Sequence, residues 1–208
     1  MPARLSATLT LAALLAHGPA IAQPGPRDLL RDASEIRLHT GVNRIADFAG
    51  NGRAALLTLG WRENGNAHGY LLFSVMLPPS RGSRSWNIVG VDRGDRFDDT
   101  IADAPHTGED VVTSVRFVRV TQHRRTRTLL VIATRNWQES IPNPAFTTID
   151  IFALKRSNGD IGVTADYFSR ILSFRTTKKY CNADFALKQE AGLSLPPDYP
   201  GIRSTDGC

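Results

Sequence analysis

The sequence predicts a mainly β protein, built as an antiparallel sheet or sandwich with one C-terminal α-helix. The first observation is the alternation of apolar and polar residues, as in 115–120, which gives a strand one apolar face for a core and one mixed face for water. The second is the turn chemistry between such runs, for example Asn158-Gly159. The third is a single stretch after Cys181 with helix-capping residues at both ends.

The first 22 residues have the three parts of a secretory signal. Arg4 supplies the positive charge, residues 5–16 are apolar, and Ala20-Ile21-Ala22 places small residues at alternate positions before the cleavage point. The apolar run is shorter than the roughly 20 residues that a membrane-spanning helix needs. We therefore expect export to the periplasm or beyond, cleavage after Ala22, and no transmembrane segment in the mature chain.

The rest of the chain is predicted to be a leader segment, residues 23–34, followed by a single β-rich domain, residues 35–208. No change of composition marks a second domain boundary. The net charge of +5 is dispersed along the sequence rather than gathered into a basic patch with interleaved aromatic residues. Nucleic-acid binding is therefore not expected.

Periodicity and β-propensity predict nine strands, separated by turn or loop residues. The predicted strands are 35–40, 43–48, 54–62, 69–77, 85–92, 111–121, 128–135, 147–155 and 164–174. The charged run 122–127 is predicted to be a hairpin tip, and the proline-containing runs 78–83 and 141–144 are predicted loops.

The predicted helix follows the first of two cysteines. Asn182 is placed to cap it, Asp184 lies in its first turn, where a negative charge is favoured, and Gly192 is placed to end it. Cys181 and Cys208 are the only cysteines, which in an exported chain favours one intramolecular disulfide. Such a bridge would stabilise the fold by roughly 3.5 kcal/mol in the chain-entropy treatment. An intermolecular bridge through Cys208 is the alternative.

The stretch 47–56 resembles the metal-binding loop of FG-GAP repeats, in which oxygen side chains at alternate positions surround a cation. In this sequence Ala49, Arg53 and Ala55 stand where oxygen ligands are needed. Asp47 and Asn51 alone cannot supply the six to eight oxygens that calcium takes. We therefore expect a tight turn without a metal.

A second candidate site joins the acidic stretch 92–100 to His106 and Glu109. A histidine and carboxylates close in sequence can hold a metal or act as acid and base. Their spacing matches no known metal motif. Because Arg93 and Arg96 interleave with the acidic residues, a surface ion network is the favoured interpretation.

The strongest candidate is the polar turn, which we define as residues 60–70. If its flanking strands pair as a hairpin, Glu63 and His68 face each other, so that the carboxylate can fix the imidazole tautomer. The alternative is a self-capped turn in which asparagines satisfy backbone groups. The candidate binding residues of the polar turn are Arg62, Glu63, Asn64, Asn66 and His68.

Recognisable catalytic motifs are missing from the sequence. It has no Gly-x-Ser-x-Gly or Ser-x-x-Lys nucleophile motif, and no His-Glu-x-x-His zinc motif. We therefore predict no catalytic residue, no metal and no cofactor. Two alternatives stay open: an envelope hydrolase that uses His68 with a carboxylate, and a structural module that interacts with another envelope protein.

The order of motifs over residues 41–77 resembles the periplasmic carbapenem self-resistance proteins of the CarG type. The resemblance rests on Gly41-Val42-Asn43, the glycine turn that follows Asp47, the run 62–68 and the apolar strand after it. It implies an exported, β-rich, non-catalytic protein that protects a cell against a β-lactam, or that binds an unidentified small molecule or envelope protein. It also implies a homodimer. We expect the recognition surface to be the polar turn, joined by His106 and Glu109.

Overall fold

The computed structural model describes residues 25–65, 69–79, 84–103, 111–122, 125–159, 161–197 and 208. These residues form two β-sheets and a short C-terminal helix, so the predicted fold class is confirmed. In this part of the chain, no helix is long and apolar enough to cross a membrane.

The elements of the described ranges follow one another as a short helix, twelve strands and a second helix. They are α1 (Pro26–Leu29), β1 (Ser34–Glu35), β2 (Gly41–Ile45), β3 (Ala55–Arg62), β4 (Tyr70–Leu77), β5 (Asn87–Ile88), β6 (Gly90–Asp92), β7 (Phe97–Asp98), β8 (Ile101–Ala102), β9 (Thr113–Gln122), β10 (Arg125–Arg135), β11 (Ala145–Arg156), β12 (Asp166–Tyr180) and α2 (Ala183–Ala186), which continues as a π-helical turn (Leu187–Ala191).

The larger sheet has seven strands in the order β1-β9-β10-β11-β12-β6-β7. Its long central strands are consecutive and antiparallel, while β12 and β6 pair in parallel through Tyr167 and Gly90. The smaller sheet has the order β2-β3-β4-β5, with β8 also paired to β4. Two stacked sheets of mainly antiparallel strands make this a β-sandwich.

The main hydrophobic core lies between the two sheets. The smaller sheet contributes the inward residues of β3 and β4, such as Leu57 and Val75, and the larger sheet contributes Phe117 and Phe168. Phe48, in the turn after β2, is fully buried between Phe117 and Phe168, with ring centroids 6.4 and 6.2 Å away. The turn that follows β2 is therefore held in place by an aromatic side chain that belongs to the core.

A second core covers the other face of the larger sheet. Val118 and Val131 point to that face and pack against Leu187 of the C-terminal helix and Leu30 of the leader segment. The expectation that an alternating run such as 115–120 keeps one face in water was therefore wrong for β9 and β10, which are largely buried on both faces. The helix and the leader are far from β9 in sequence, so local alternation gave no sign of this third layer.

The C-terminal helix has the predicted caps. The Oδ1 atom of Asn182 accepts hydrogen bonds from the backbone N–H groups of Asp184 and Phe185, at 2.8 and 3.3 Å. Gly192 ends the helix with a φ of 75°. The predicted disulfide is also confirmed: Cys181 and Cys208 are joined, with their Cα atoms 5.2 Å apart.

Buried polar groups fix the helix to the larger sheet. The carboxylate of Asp184 accepts a hydrogen bond from the Ser114 hydroxyl at 2.5 Å and another from the Arg116 guanidinium. Arg135 is 1% exposed and donates to the carbonyls of Tyr180, Ile141 and Asn143. Because a buried charge is costly unless it is paired and hydrogen-bonded, these contacts restrict how the helix and the 136–144 loop can sit.

Strand boundaries differ from the prediction where the chain changes sheets. The predicted strand 85–92 is divided, because Ile88 pairs with β4 in the smaller sheet while Gly90 pairs with β12 in the larger one. β12 runs to Tyr180, beyond the predicted end at residue 174, because its last residues pair with the start of β11. β7 and β8 were missed because two-residue strands carry no periodicity.

Candidate functional site

The polar turn connects β3 to β4 in a true hairpin. The two strands pair in antiparallel register up to Arg62 and Tyr70, which are directly opposite each other. The loop between them covers residues 63–69. Of the predicted site residues, Arg62, Glu63 and Asn64 lie in the described chain, whereas Asn66 and His68 lie outside it.

Glu63 caps the start of this loop. Its Oε1 atom accepts the backbone N–H groups of Asn64 and Gly65, both at 3.2 Å, and its Oε2 atom accepts the indole N–H of Trp61 at 3.1 Å. The hydrogen bond from Trp61, followed by that from Gly65, holds the pKa of the Glu63 carboxyl below its usual value. Glu63 is therefore a carboxylate at neutral pH, with donors already on both oxygens.

Arg62 has polar partners that carry no charge. Its Nη1 atom donates to the Asn64 Oδ1 atom at 3.0 Å and to the Tyr70 hydroxyl at 2.6 Å, and its guanidinium lies 5.1 Å from the centroid of the Tyr70 ring. No carboxylate among the described residues forms an ion pair with Arg62. Within the described part of the chain, its positive charge is thus held in position by neutral partners alone.

Trp61 and Gly69 close the base of the loop. A Cβ atom at position 69 would lie only 2.1 Å from Cζ2 of the Trp61 ring, so a larger residue there would require the indole to move. Trp61 is still 50% exposed. Because Trp61 and Arg62 are consecutive in β3, the end of the hairpin presents the indole on one face and the cation on the other, an arrangement that the sequence pattern did not single out.

His106 and Glu109 lie outside the described residues, but the start of their segment is fixed. Asp103 is 5% exposed, its Oδ1 atom accepts the Leu71 N–H at 2.7 Å, and its own N–H donates to the Leu71 carbonyl. Leu71 is adjacent to Tyr70 in β4. Asp103 therefore lies beside the polar turn, and Val111, the next described residue, accepts a hydrogen bond from the Ala183 N–H of the helix.

The acidic stretch 92–100 forms the β6–β7 hairpin and carries an ion network. Arg93 and Arg96 donate to the two carboxylate oxygens of Asp98 at 3.0 and 2.9 Å. Burial raises the pKa of Asp98, but the hydrogen bonds from Arg96 and Arg93 outweigh it and leave this pKa below its usual value. These contacts agree with the surface ion network that the sequence favours.

The stretch 47–56 uses its side-chain oxygens within its own turn. Asp47 Oδ1 accepts the Gly52 N–H at 2.6 Å, and Asn51 Oδ1 accepts the Arg53 N–H at 3.1 Å. The Arg53 guanidinium donates to the carbonyls of Pro78 and Pro79. Within the described ranges, no group of three or more histidine, cysteine, aspartate or glutamate residues is placed to hold a metal.

A separate concavity, which we call the aromatic groove, lies where β10 ends and β11 begins. It has a volume of about 450 Å³ and is lined by Trp137, Glu139, Phe146, Arg175 and Lys179, among others. Sequence reasoning missed it because its residues come from a predicted loop and from two strand ends that are distant in sequence. The exposed Trp137 in a polar loop was the one available signal.

Comparisons with known proteins give one structural likeness. Neither a protein-family model nor a curated protein sequence matches the chain. Among solved structures, the chain is similar to the crystal structure of CarG, with a TM-score of 0.62 and 22% sequence identity; the match covers 77% of this chain and 99% of CarG. The resemblance to the CarG type is thus confirmed as a shared fold, and it extends well beyond residues 41–77.

Proposed function

We propose that this chain is an exported, non-catalytic protection protein that contributes to carbapenem resistance by binding. The observation that carries the proposal is the extent of the likeness to CarG, since nearly the whole of CarG is matched by one continuous sandwich. The disulfide between Cys181 and Cys208 supports export, because such bridges persist in oxidising compartments. We propose the periplasm as the location, after cleavage behind Ala22.

Binding is favoured over hydrolysis by the state of Glu63. A general base works best when its pKa lies near the working pH, so that it can take up a proton. The pKa of Glu63 is instead lowered, and both of its oxygens already accept hydrogen bonds. These contacts suit a carboxylate that shapes the polar turn. The alternative, a hydrolase that uses His68, would need a different carboxylate.

Arg62 is the residue of the polar turn best placed to contact a partner. Its described contacts are neutral, so its charge is available to the carboxylate of a β-lactam or to an acidic group on an envelope protein. Trp61 is half-exposed at the same end of the hairpin, on the opposite face of β3, and adds an apolar surface there. We propose that Arg62 and Trp61 form the recognition surface, with Asn64, Asn66, His68, His106 and Glu109 around them.

Expression in a carbapenem-sensitive Gram-negative bacterium tests the proposal. The full chain should raise the minimal inhibitory concentration of a carbapenem, whereas a chain that starts at Gln23 and stays in the cytoplasm should not. Purified protein should leave the carbapenem absorbance unchanged over time. Loss of that absorbance would favour the hydrolase, and an unchanged inhibitory concentration with folded periplasmic protein would refute protection.

A matched pair of variants tests the recognition surface. Arg62→Gln should remove the protection, since it removes the charge and keeps the size of the side chain. Arg31→Gln is the control: Arg31 is exposed after α1, next to Leu30, which packs on the far face of the larger sheet, and its replacement should leave protection intact. Equal effects of the two changes would show that Arg62 has no special role.

We further propose a homodimer that forms through the outer face of the smaller sheet. Strand register places Leu56, Met76 and Ile88 in one row across this face, with Val42 on the same side. Val42 is 59% and Ile88 43% exposed. Apolar side chains adjacent on a sheet surface are suited to burial against a second copy. The row lies six residues along β3 from Arg62, about 20 Å away, so it leaves the polar turn accessible.

A further inference from the structure

The aromatic groove has a rigid wall. Residues 136–144 form this wall between β10 and β11, and the buried Arg135 holds it by donating to the carbonyls of Ile141 and Asn143 at 2.6 and 2.8 Å. The Asn136 side chain donates to the Thr148 hydroxyl at 2.9 Å. A loop held by these internal contacts keeps its shape without a ligand, which lowers the entropic cost of binding.

The floor of the groove is the exposed end of an otherwise buried surface. Phe146 and Asp150 are four residues apart in β11, so their side chains point to the same face of the larger sheet. Asp150 pairs with Ile132, which belongs to the core between the sheets, so this is the inner face. At Phe146 the side chains of this face are half-buried or exposed instead of buried. The inner face of the larger sheet therefore continues past the region covered by the smaller sheet and becomes accessible in the groove.

An irregularity in β12 gathers two cations on this floor. The register between β11 and β12 jumps from the Phe146–Lys179 pair to the Thr148–Arg175 pair, so three residues of β12 lie opposite Thr147 alone. The Thr176 hydroxyl fixes the bulge, because it accepts the Thr147 N–H at 3.0 Å and donates to the Lys178 carbonyl at 2.7 Å.

The result is two positive charges on one aromatic ring. In a regular strand, residues four apart are separated by about 13 Å. Here the guanidinium of Arg175 lies 4.6 Å and the ammonium of Lys179 lies 5.6 Å from the centroid of the Phe146 ring. Neither cation forms an ion pair with a carboxylate of the described chain. The two distances place the cations within about 10 Å of each other, and neighbouring like charges favour the approach of an anion.

The groove lining contains one acidic residue, Glu139, and two basic residues, Arg175 and Lys179. The lining therefore keeps one net positive charge. Trp137, 45% exposed, adds a second aromatic surface to that of Phe146. The volume of about 450 Å³ falls in the range of small-molecule sites, and it is too small for a folded partner.

We propose that the aromatic groove is a binding site for a small organic carboxylate with a flat apolar body. The carboxylate would pair with Arg175 and Lys179, and the apolar body would lie against Phe146 and Trp137. This site is separate from the polar turn and does not depend on a role in resistance. It adds a ligand class that neither the sequence motifs nor the likeness to CarG indicates.

Calorimetric titration of the purified oxidised protein tests this site with 2-naphthoate as the probe and 2-naphthylmethanol as its uncharged analogue. The acid should bind, its affinity should fall with added salt, and the alcohol should bind at least about tenfold more weakly. Equal affinity for the two compounds, or no binding of the acid, would overturn the proposal.

Matched variants locate the binding. Arg175→Gln and Lys179→Gln should each weaken 2-naphthoate binding by about tenfold, and Glu139→Gln should strengthen it because a repulsive charge is removed. Arg170→Gln is the control, since Arg170 is exposed on the same strand and faces Asp150 outside the groove. A loss of binding in the control as large as in the groove variants would show that the probe responds only to overall charge.

Discussion

Gly50 and Gly52 share the turn after β2 and have similar left-handed backbones, with φ of 69° and 78°. Their surroundings differ. A Cβ atom at position 50 would lie 2.4 Å from the Thr126 carbonyl oxygen, whereas one at position 52 would meet no atom within 4 Å. Replacing Gly52 would therefore cost only the free energy of a left-handed backbone. Replacing Gly50 would cost that free energy and also that of a clash with β10.

Alanine at each position should therefore destabilise the protein unequally. Gly52→Ala should lower the free energy of unfolding by about 1 to 2 kcal/mol, which is the cost of a left-handed non-glycine residue. Gly50→Ala should cost a further 1 to 3 kcal/mol, roughly, because the turn must move away from Thr126. Urea denaturation of the two variants measures the difference, and equal values would contradict the close approach.

Buried and half-buried charges are the other residue-scale feature of this fold. Asp184 pairs with Arg116, 68 residues away in sequence, and Arg135 donates to the Tyr180 carbonyl, 45 residues away. The sequence predicted that Asp184 lies in the first turn of the helix, and the structure confirms this. The sequence could not show that the same carboxylate also anchors the helix to β9, because that contact depends on how the layers pack.

At the scale of elements, Tyr180 joins β12 to the C-terminal helix. It is 1% exposed, and its hydroxyl donates to the Glu190 Oε1 atom at 2.5 Å. Burial and the bond to Glu190 raise the pKa of the Tyr180 hydroxyl well above its usual value. The neutral phenol is therefore favoured by folding, and its ionisation opposes the packing of the helix.

This shift predicts a loss of stability in alkali. The contribution of Tyr180 is fully present below its unfolded pKa of about 10, and it is lost as the pH rises from there through the raised folded value. Tyr180→Phe should lower stability by about 1.5 kcal/mol at neutral pH and should weaken the alkaline decline. Urea denaturation below and above about pH 10 measures both effects, with Tyr167→Phe on the same strand as the control. An alkaline decline of the same size in Tyr180→Phe would contradict the assignment.

Strand prediction succeeded where a strand stays in one sheet and failed where the chain changes sheets. β3, β4, β9 and β10 were predicted to within a few residues because their inward residues alternate over long runs. The pattern of residues 85–92 predicts one strand, but the run contributes to both sheets. Ile88 pairs with β4 in the smaller sheet, and Gly90 pairs with β12 in the larger one. Such a crossing depends on partners from β4 and β12, which no local pattern contains.

At the scale of the whole molecule, the described residues form three layers, and no element among them covers the outer face of the smaller sheet. The larger sheet lies between the smaller sheet and the C-terminal helix, whereas the outer face of the smaller sheet carries exposed apolar residues such as Val42 and Ile88. The proposed homodimer would bury this face.

Sedimentation analysis tests that assembly. The oxidised mature chain should sediment as a dimer, and Ile88→Lys should shift it to monomer because a charge would be placed in the interface. Ile161→Lys should leave the dimer unchanged, since Ile161 is fully exposed in the loop after β11 and lies off the proposed face. A monomeric parent protein, or a dimer that tolerates lysine at position 88, would refute this interface.

The sequence by itself determined the mainly β class, the two strands on either side of the polar turn, the capped helix and the cysteine pairing. These features depend on alternation, turn chemistry and capping, which act over a few residues, or on having only two cysteines to pair. Only the tertiary structure decided that the central strands are buried on both faces, that Glu63 is engaged by Trp61, and that Arg175 and Lys179 meet on Phe146. Those arrangements depend on contacts between residues distant in sequence, and packing rather than local preference selects them.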